Sequence, residues 1–291
     1  SGMGSNVSIG ANVQYNNDTD PPNITITPKN DLSGNTVYAI SYPSGAFTQS
    51  GAGGSFVGTA YTFDTGAATF GQLWAAGWNY NGQLGQNSIN PAPAGGISSP
   101  IQIPGTTWSQ LSSGGDYALA IKSDNTLWAW GTNEKGELGQ NQNNEPGYSS
   151  PTQIPGTTWS DVSTATGADR ASAVKSDGTL WTWGNNANGQ LGQSNTTQYS
   201  SPVQVTGTTW TDVEIGDYST LALKTDGTLY SWGRSEKGSL GVPSIAHDAH
   251  QSSPLQIPGS WSGSKIVSDY NGGAIKSDGT LWVWGVNSYG N

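Results

Sequence analysis

The chain has 291 residues, of which 42 are Gly, 15 Pro, 13 Trp and none Cys, and only 10% are charged. Its 20 acidic against 10 basic residues leave a net charge of −10. This excludes disulfides, thiol chemistry and cysteine-bound zinc and lacks the basic footprint of a nucleic-acid binder. The absence of an apolar run near ~20 residues excludes a helical membrane span.

Two compositions stand side by side in the chain. Residues 1–73 contain no Trp and five charges, Asp18, Asp20, Lys29, Asp31 and Asp64. Ser1–Ser5, around the single Met3, read as a cloning remnant, and no signal peptide is read. The rest of this stretch is rich in Ser, Gly, Asn and Thr, a composition that buries little by itself. Residues 1–57 are therefore expected to be a low-complexity arm, poor in strands, that docks elsewhere or completes a blade. Alternation predicts short strands at Asn23–Thr27 and Thr36–Ile40. Tyr38–Ile40 and Phe47-Thr48, around Pro43-Ser44-Gly45, imitate the hairpins of the later repeats.

From residue 58 onward the chain repeats. Trp108, Trp159, Trp210 and Trp261 recur every 51 residues, each preceded by a phrase of the type Ser98-Ser99-Pro100-Ile101-Gln102-Ile103-Pro104-Gly105-Thr106-Thr107. Each Trp opens an alternating run. A turn comes next, such as Lys175-Ser176-Asp177-Gly178-Thr179, and Asp-Gly between apolar runs signals a hairpin. The returning runs are Leu127–Gly131, Leu180–Gly184, Leu229–Gly233 and Leu281–Gly285, with an earlier copy at Leu73–Gly77. Period 2 sets Leu on one face and the aromatics on the other. Both faces being apolar, each sheet should lie between two sister sheets. About four strands per period predict radially arranged four-stranded blades, an all-β propeller over residues 58–291.

The segments Gly77–Gly85, Gly131–Gly139 and Gly184–Gly192 each end in Asn-x-x-Gly-x-Leu-Gly. Together with Trp-x-Trp-Gly and Ser-Pro at one period, they resemble the regulator-of-chromosome-condensation repeat family, as a bacterial or phage type. The resemblance covers about residues 70–291 and implies a β-propeller. Well-known members close with seven blades, whereas five hairpins are visible here. Closure at about five blades is expected, with Tyr289-Gly290-Asn291 standing inside what would be the next motif.

Few residues carry chemistry. His247 and His250 are spaced for a metal but lack a third ligand, so they read as a loop insertion and no metal is expected. Asp116, Asp169, Asp217 and Asp269 recur once per blade, as a carboxylate ring, a cation site or, best, hydrogen-bond caps. Asp124, Asp177, Asp226 and Asp278 read as turn residues, and Lys122, Lys175, Lys224 and Lys276 as exposed strand ends. Glu134, Glu137 and Glu145 read as a solvated acidic face. No catalytic set, phosphate loop or cofactor site emerges, so no enzyme activity is expected. Insertions at 87–95, 141–148, 193–199 and 242–251 fall between Leu-Gly and Ser-Ser-Pro and should cluster on one rim. Tyr148, Tyr199, His247 and His250 on them are the candidate partner-binding residues.

The composition points to a non-catalytic structural or adhesive module, on a virion or at a cell surface. Its partner would be a protein, or a second copy held through the amino-terminal arm. A secreted or surface propeller that binds a glycan or protein is the alternative. A guanine-nucleotide exchange factor or chromatin adaptor is implied by the resemblance alone, and the acidic balance argues against chromatin.

Overall fold

The structure, a computed structural model, describes residues 11–16, 23–28, 37–40, 61–64, 71–89, 96–143 and 147–286. The chain divides into two units, Ser1–Thr69 and Phe70–Asn291. The first holds two antiparallel pairs: β1 (Ala11–Asn16) with β2 (Asn23–Pro28), and β3 (Val37–Ile40) with β4 (Tyr61–Asp64). The expected strands at 23–27 and 36–40 are thus present. The hairpin-like partner at Phe47-Thr48 lies outside the described residues, and β3 pairs with β4.

The second unit is a row of sheets in sequence order. Blade 1 has β5 (Trp74–Trp78) and β6 (Gly96–Gln102). Blade 2 has β7 (Trp108–Ser113), β8 (Tyr117–Lys122), β9 (Leu127–Gly131) and β10 (Tyr148–Ile154). Blade 3 has β11 (Trp159–Thr164), β12 (Arg170–Lys175), β13 (Leu180–Gly184) and β14 (Tyr199–Gln204). Blade 4 has β15 (Trp210–Ile215), β16 (Ser219–Lys224), β17 (Leu229–Arg234) and β18 (His250–Ile257). Blade 5 has β19 (Trp261–Ser268), β20 (Asn271–Lys276) and β21 (Leu281–Gly285). All pairings are antiparallel, and the first strands of neighbouring blades pack together, placing them innermost. The only helical piece among the described residues is one 3₁₀ turn, Glu236–Gly238, so no described helix is long and apolar enough to cross a membrane.

The repeat sequence accounts for the spacing between blades. Trp130, Trp183 and Trp232 are buried on the face toward the preceding blade. Their indole N–H groups donate to the carbonyls of Gln83, Glu137 and Gln190, at 2.9, 2.8 and 2.9 Å. Leu127, Leu180 and Leu229 are buried on the other face, so both faces are covered, as the alternation implies. The last Gly of each Asn-x-x-Gly-x-Leu-Gly lies against that Trp: a Cβ on Gly192, at φ +70°, would stand 2.9 Å from Trp232 Nε1. Ser-Ser-Pro has a similar role. The carbonyls of Ser149, Ser200 and Ser252 accept from the N–H groups of Asn87, Asn141 and Ser194 in the preceding blade. A Cβ on Gly136 would lie 2.6 Å from the Ser200 backbone.

Coverage fails at the ends of the row. Leu281, which matches the buried Leu127, is 71% exposed, because no sheet comes after β21 among the described residues.

Candidate functional site: the loop-bearing rim

Strand register separates two rims. Tyr117 and Tyr148 both pair with Gly131, so the turn at 114–116 and the loop from 132 to 147 lie at one end of blade 2. The hairpin at 122–127 lies at the other end. The same holds in blades 3 and 4. The described parts of the insertions in blades 2 to 4 therefore open on one rim, together with the recurrent Asp residues.

Each loop is built by its motif. Asn186 is buried; its side-chain oxygen accepts from Leu191 N–H and its amide donates to the carbonyls of Asn195 and Thr197. Asn79 and Asn133 do the same in blades 1 and 2, each holding its Leu N–H and a carbonyl nine residues on. This satisfies backbone groups that a buried loop would otherwise leave unpaired.

The structure disperses the four candidate partner-binding residues over three blades. Tyr148 and Tyr199 are equivalent, half-buried at the start of the outer strands. The Tyr148 hydroxyl donates to Gln142, and the Tyr199 hydroxyl accepts from Asn195. His247 and His250 are exposed beside Asp248, whose carboxylate lies 3.0 Å from Arg234. Among the described residues no His, Asp and Glu group could hold a metal.

The acids of this rim crowd one another. Burial raises the Asp169 carboxyl above the usual range, and the charges of Glu134 and Asp116 add to it. Burial and then Asp217 raise Asp269, and Tyr270 is raised by a hydrogen bond to Asp217. At Asp116 and Asp169 the expected cap runs through the main chain. The carbonyls of Asp116 and Asp169 accept from Thr132 and Asn185 N–H, and the Asp116 carboxylate takes Gln83 Nε2 at 3.0 Å. Glu145 lies outside the described residues.

Of the acidic pair that remains, Glu137 is buried rather than solvated, its carboxylate accepting from the N–H groups of Glu134 and Lys135. Burial raises its pKa, and Asp169 adds to the effect. A carboxyl raised in the folded state weakens folding once pH passes above its ordinary range. Gln83 and Gln190 take the same place in blades 1 and 3. Glu137→Gln should therefore stabilise the protein at neutral pH by about 1 kcal/mol. The gain should fade as pH falls below the ordinary carboxylate range, as urea denaturation at two pH values would show.

The opposite rim is saturated. Asp124, Asp177, Asp226 and Asp278 each accept from a Thr N–H and hydroxyl two residues on, which lowers their pKa values. The recurrent Lys residues are not free strand ends. Lys122 Nζ lies 3.8 Å from the centroid of the Trp128 ring and 4.8 Å from that of Trp108, and Lys175, Lys224 and Lys276 are held between rings likewise.

Models of the regulator of chromosome condensation (RCC1) repeat match residues 71–121, 124–174, 177–223 and 226–268. The chain belongs to the RCC1 repeat family. The ultraviolet-B receptor UVR8 of Arabidopsis thaliana is 27% identical over 234 residues, covering 75% of this chain and 50% of the receptor. Human WBSCR16 shares the fold with a TM-score of 0.64 at 22% identity, over 79% of this chain and 60% of that one. Prp20p of Saccharomyces cerevisiae, with binding properties toward Gsp1p and histones, gives 0.56 at 18% identity, over 68% and 50%. The chain spans half or less of the curated relatives it matches. These relatives are plant, human and yeast proteins. The expected bacterial or phage affiliation has no counterpart among them, and none of their names carries a virion or adhesive role.

Proposed function

We propose that this RCC1-like propeller is a non-catalytic interaction module whose loop-bearing rim receives a basic segment of a protein partner. One observation carries the reading: charge is segregated between the rims. Asp116, Glu134, Asp169, Asp217 and Asp269 crowd the loop-bearing side; the carboxyls of Asp169 and Asp269 are raised first by burial and then by neighbouring acids, a repulsion that a cationic partner would relieve. On the other side the Lys and Asp residues already have partners. The overall −10 charge supports the same sign of partner and disfavours nucleic acid. A glycan fits the rim less well, because Tyr148 and Tyr199 are half-buried with their hydroxyls engaged. A virion or cell-surface setting, with residues 1–57 as an assembly arm, is supported by composition.

The test is binding of a fluorescent Lys/Arg-rich peptide, measured by anisotropy at two salt concentrations. Asp116→Asn with Asp169→Asn and Asp217→Asn should weaken binding about tenfold or more, and added salt should do the same. Asp177→Asn with Asp226→Asn on the opposite rim should leave it unchanged. Equal effects from both sets would reject the rim as the docking face.

A further inference from the structure

The Asp residues of the hairpin rim are bonded within their own turns, whereas its Lys residues are met by rings. Lys175 Nζ lies 4.6 Å from the centroid of the Trp159 ring and 4.5 Å from that of Trp181. Lys224 Nζ lies 4.6 Å from that of Trp210 and 4.9 Å from that of Tyr230. Among the described residues no oxygen forms an ion pair with Lys122, Lys175 or Lys224. Beside each ammonium stands a second unused donor. The indole N–H groups of Trp108, Trp159 and Trp210 are buried and have no hydrogen-bond partner. In blade 5 the matching indole of Trp261 reaches the Ile257 carbonyl at 3.4 Å.

The two donors converge on one point. A Cβ on Gly156 would stand 3.6 Å from Lys175 Nζ and 3.7 Å from Trp159 Nε1, and one on Gly207 would stand 3.5 Å from Lys224 Nζ and 3.8 Å from Trp210 Nε1. In both places these nitrogens are the nearest atoms from elsewhere in the chain, so the space in front of them is open. Trp159 and Lys175 also line a cleft of about 320 Å³ between blades 2 and 3, bordered by Gln140, Asn141 and Pro155 on one side and by Trp181 on the other. The same elements recur at the neighbouring boundaries: Gln86-Asn87 with Pro104 before Trp108, and Gln193-Ser194 with Thr206 before Trp210. A buried donor without an acceptor is costly. Its recurrence at one period makes it a property of the repeat.

We propose that these boundaries bind the carboxylates of an acidic segment of a protein partner. One ammonium and one neutral N–H supply a single positive charge and two donors. That set matches the single charge and two oxygens of a carboxylate better than a doubly charged phosphate. The ring pair holds each ammonium in place, so little side-chain freedom is lost when the acid arrives. Three copies at one period let a segment with several Asp or Glu residues engage more than one of them, and individually weak contacts then reinforce one another. The surface differs in place and in sign from the loop-bearing rim, so neither reading depends on the other.

The experiment follows the indole N–H signals of the full, nitrogen-15-labelled chain by NMR while an Asp/Glu-rich peptide is added, with an Asn/Gln-rich peptide of equal length as the neutral comparison. Moderate salt screens the overall −10 charge of the protein. The signals of Trp108, Trp159 and Trp210 should move downfield and saturate. Those of Trp130, Trp183 and Trp232, already bonded to carbonyls, should stay in place. Lys175→Met keeps an apolar stem against the rings. It should weaken the response of Trp159 about tenfold or more, while Trp108 and Trp210 still respond and report an intact fold. Lys175→Arg should retain most of the Trp159 response. The proposal is overturned if the three signals do not move, or if the neutral peptide moves them equally. It is also overturned if Lys175→Met leaves the Trp159 response unchanged, or if a uronic-acid oligosaccharide moves the three signals where the peptide does not.

Discussion

Trp183→Ala should lower the unfolding free energy by about 3–5 kcal/mol, the range for emptying a fully buried large aromatic. Trp183 is completely buried between blades 2 and 3, in one cluster with Leu138, Ile154 and Trp159. Its indole donates to the Glu137 carbonyl across the blade boundary at 2.8 Å. Gly139 lies so near that a Cβ would be 3.0 Å from the indole nitrogen. The neighbouring backbone is thus shaped to the ring and collapses poorly when it is gone. Trp183→Phe keeps part of the volume but leaves the carbonyl without its donor, and should cost about half as much. Trp282 is the control. It is the first Trp of the same Trp-x-Trp pattern, level with Trp181, and is 47% exposed. Trp282→Ala should cost about 1 kcal/mol or less, mostly the lost Lys276 contact. Urea midpoints at unchanged m-value provide the comparison. Equal losses at the two positions would refute the assignment of blade cohesion to the buried indole.

That contrast also shows how far the sequence was legible. Trp108, Trp159, Trp210 and Trp261 each open a strand, and the Leu-aromatic runs form the returning strands, because period and turn chemistry are local signals. Leu127 and Leu281 stand in nearly identical phrases, yet one is buried and the other exposed. Their difference lies in whether a neighbouring sheet stacks on them, which no local pattern encodes. Lys122 reads as a strand end because its partner Trp108 stands 14 residues earlier and meets it only after the hairpin folds. On the rim, the once-per-blade recurrence of Asp116, Asp169, Asp217 and Asp269 pointed to hydrogen-bond caps. It did not reveal that at Asp116 and Asp169 the main-chain carbonyl is the acceptor. The residue most plainly missed is Arg170. A signal existed: the repeat position that is Tyr117, Ser219 and Asn271 elsewhere is cationic here, within the otherwise uncharged run Ala171-Ser172-Ala173-Val174.

Arg170→Ala should cost about 3–5 kcal/mol, because it removes a buried cation and strands the groups that solvate it. The side chain is fully buried, and its guanidinium donates across the boundary to the carbonyls of Gly216, Asp217 and Ser219 in blade 4, and to Ala168 in its own blade. Burial pulls its pKa down to about 10, so it remains charged at neutral pH. Carbonyl dipoles, with the charges of Asp217 and Asp169 nearby, thus stand in for the carboxylate partner that a buried Arg ordinarily has. The preceding blade is tied to the same residue: the Tyr117 hydroxyl donates to the Arg170 carbonyl at 2.5 Å. Blades 2, 3 and 4 are therefore linked in series at the loop-bearing rim. Arg170→Lys should recover only part of the loss, since one ammonium cannot span carbonyls that the planar guanidinium fork reaches together. Tyr117→Phe should cost about 1–2 kcal/mol by itself. Combined with Arg170→Ala it should cost less than the sum by at least about 0.5 kcal/mol, because a blade already loosened from its neighbour holds Tyr117 less firmly. Strict additivity in that cycle would mean that the two boundaries are independent, and the serial linkage would be wrong. Full recovery by Arg170→Lys would show that charge alone, and not the shape of the fork, holds blades 3 and 4 together.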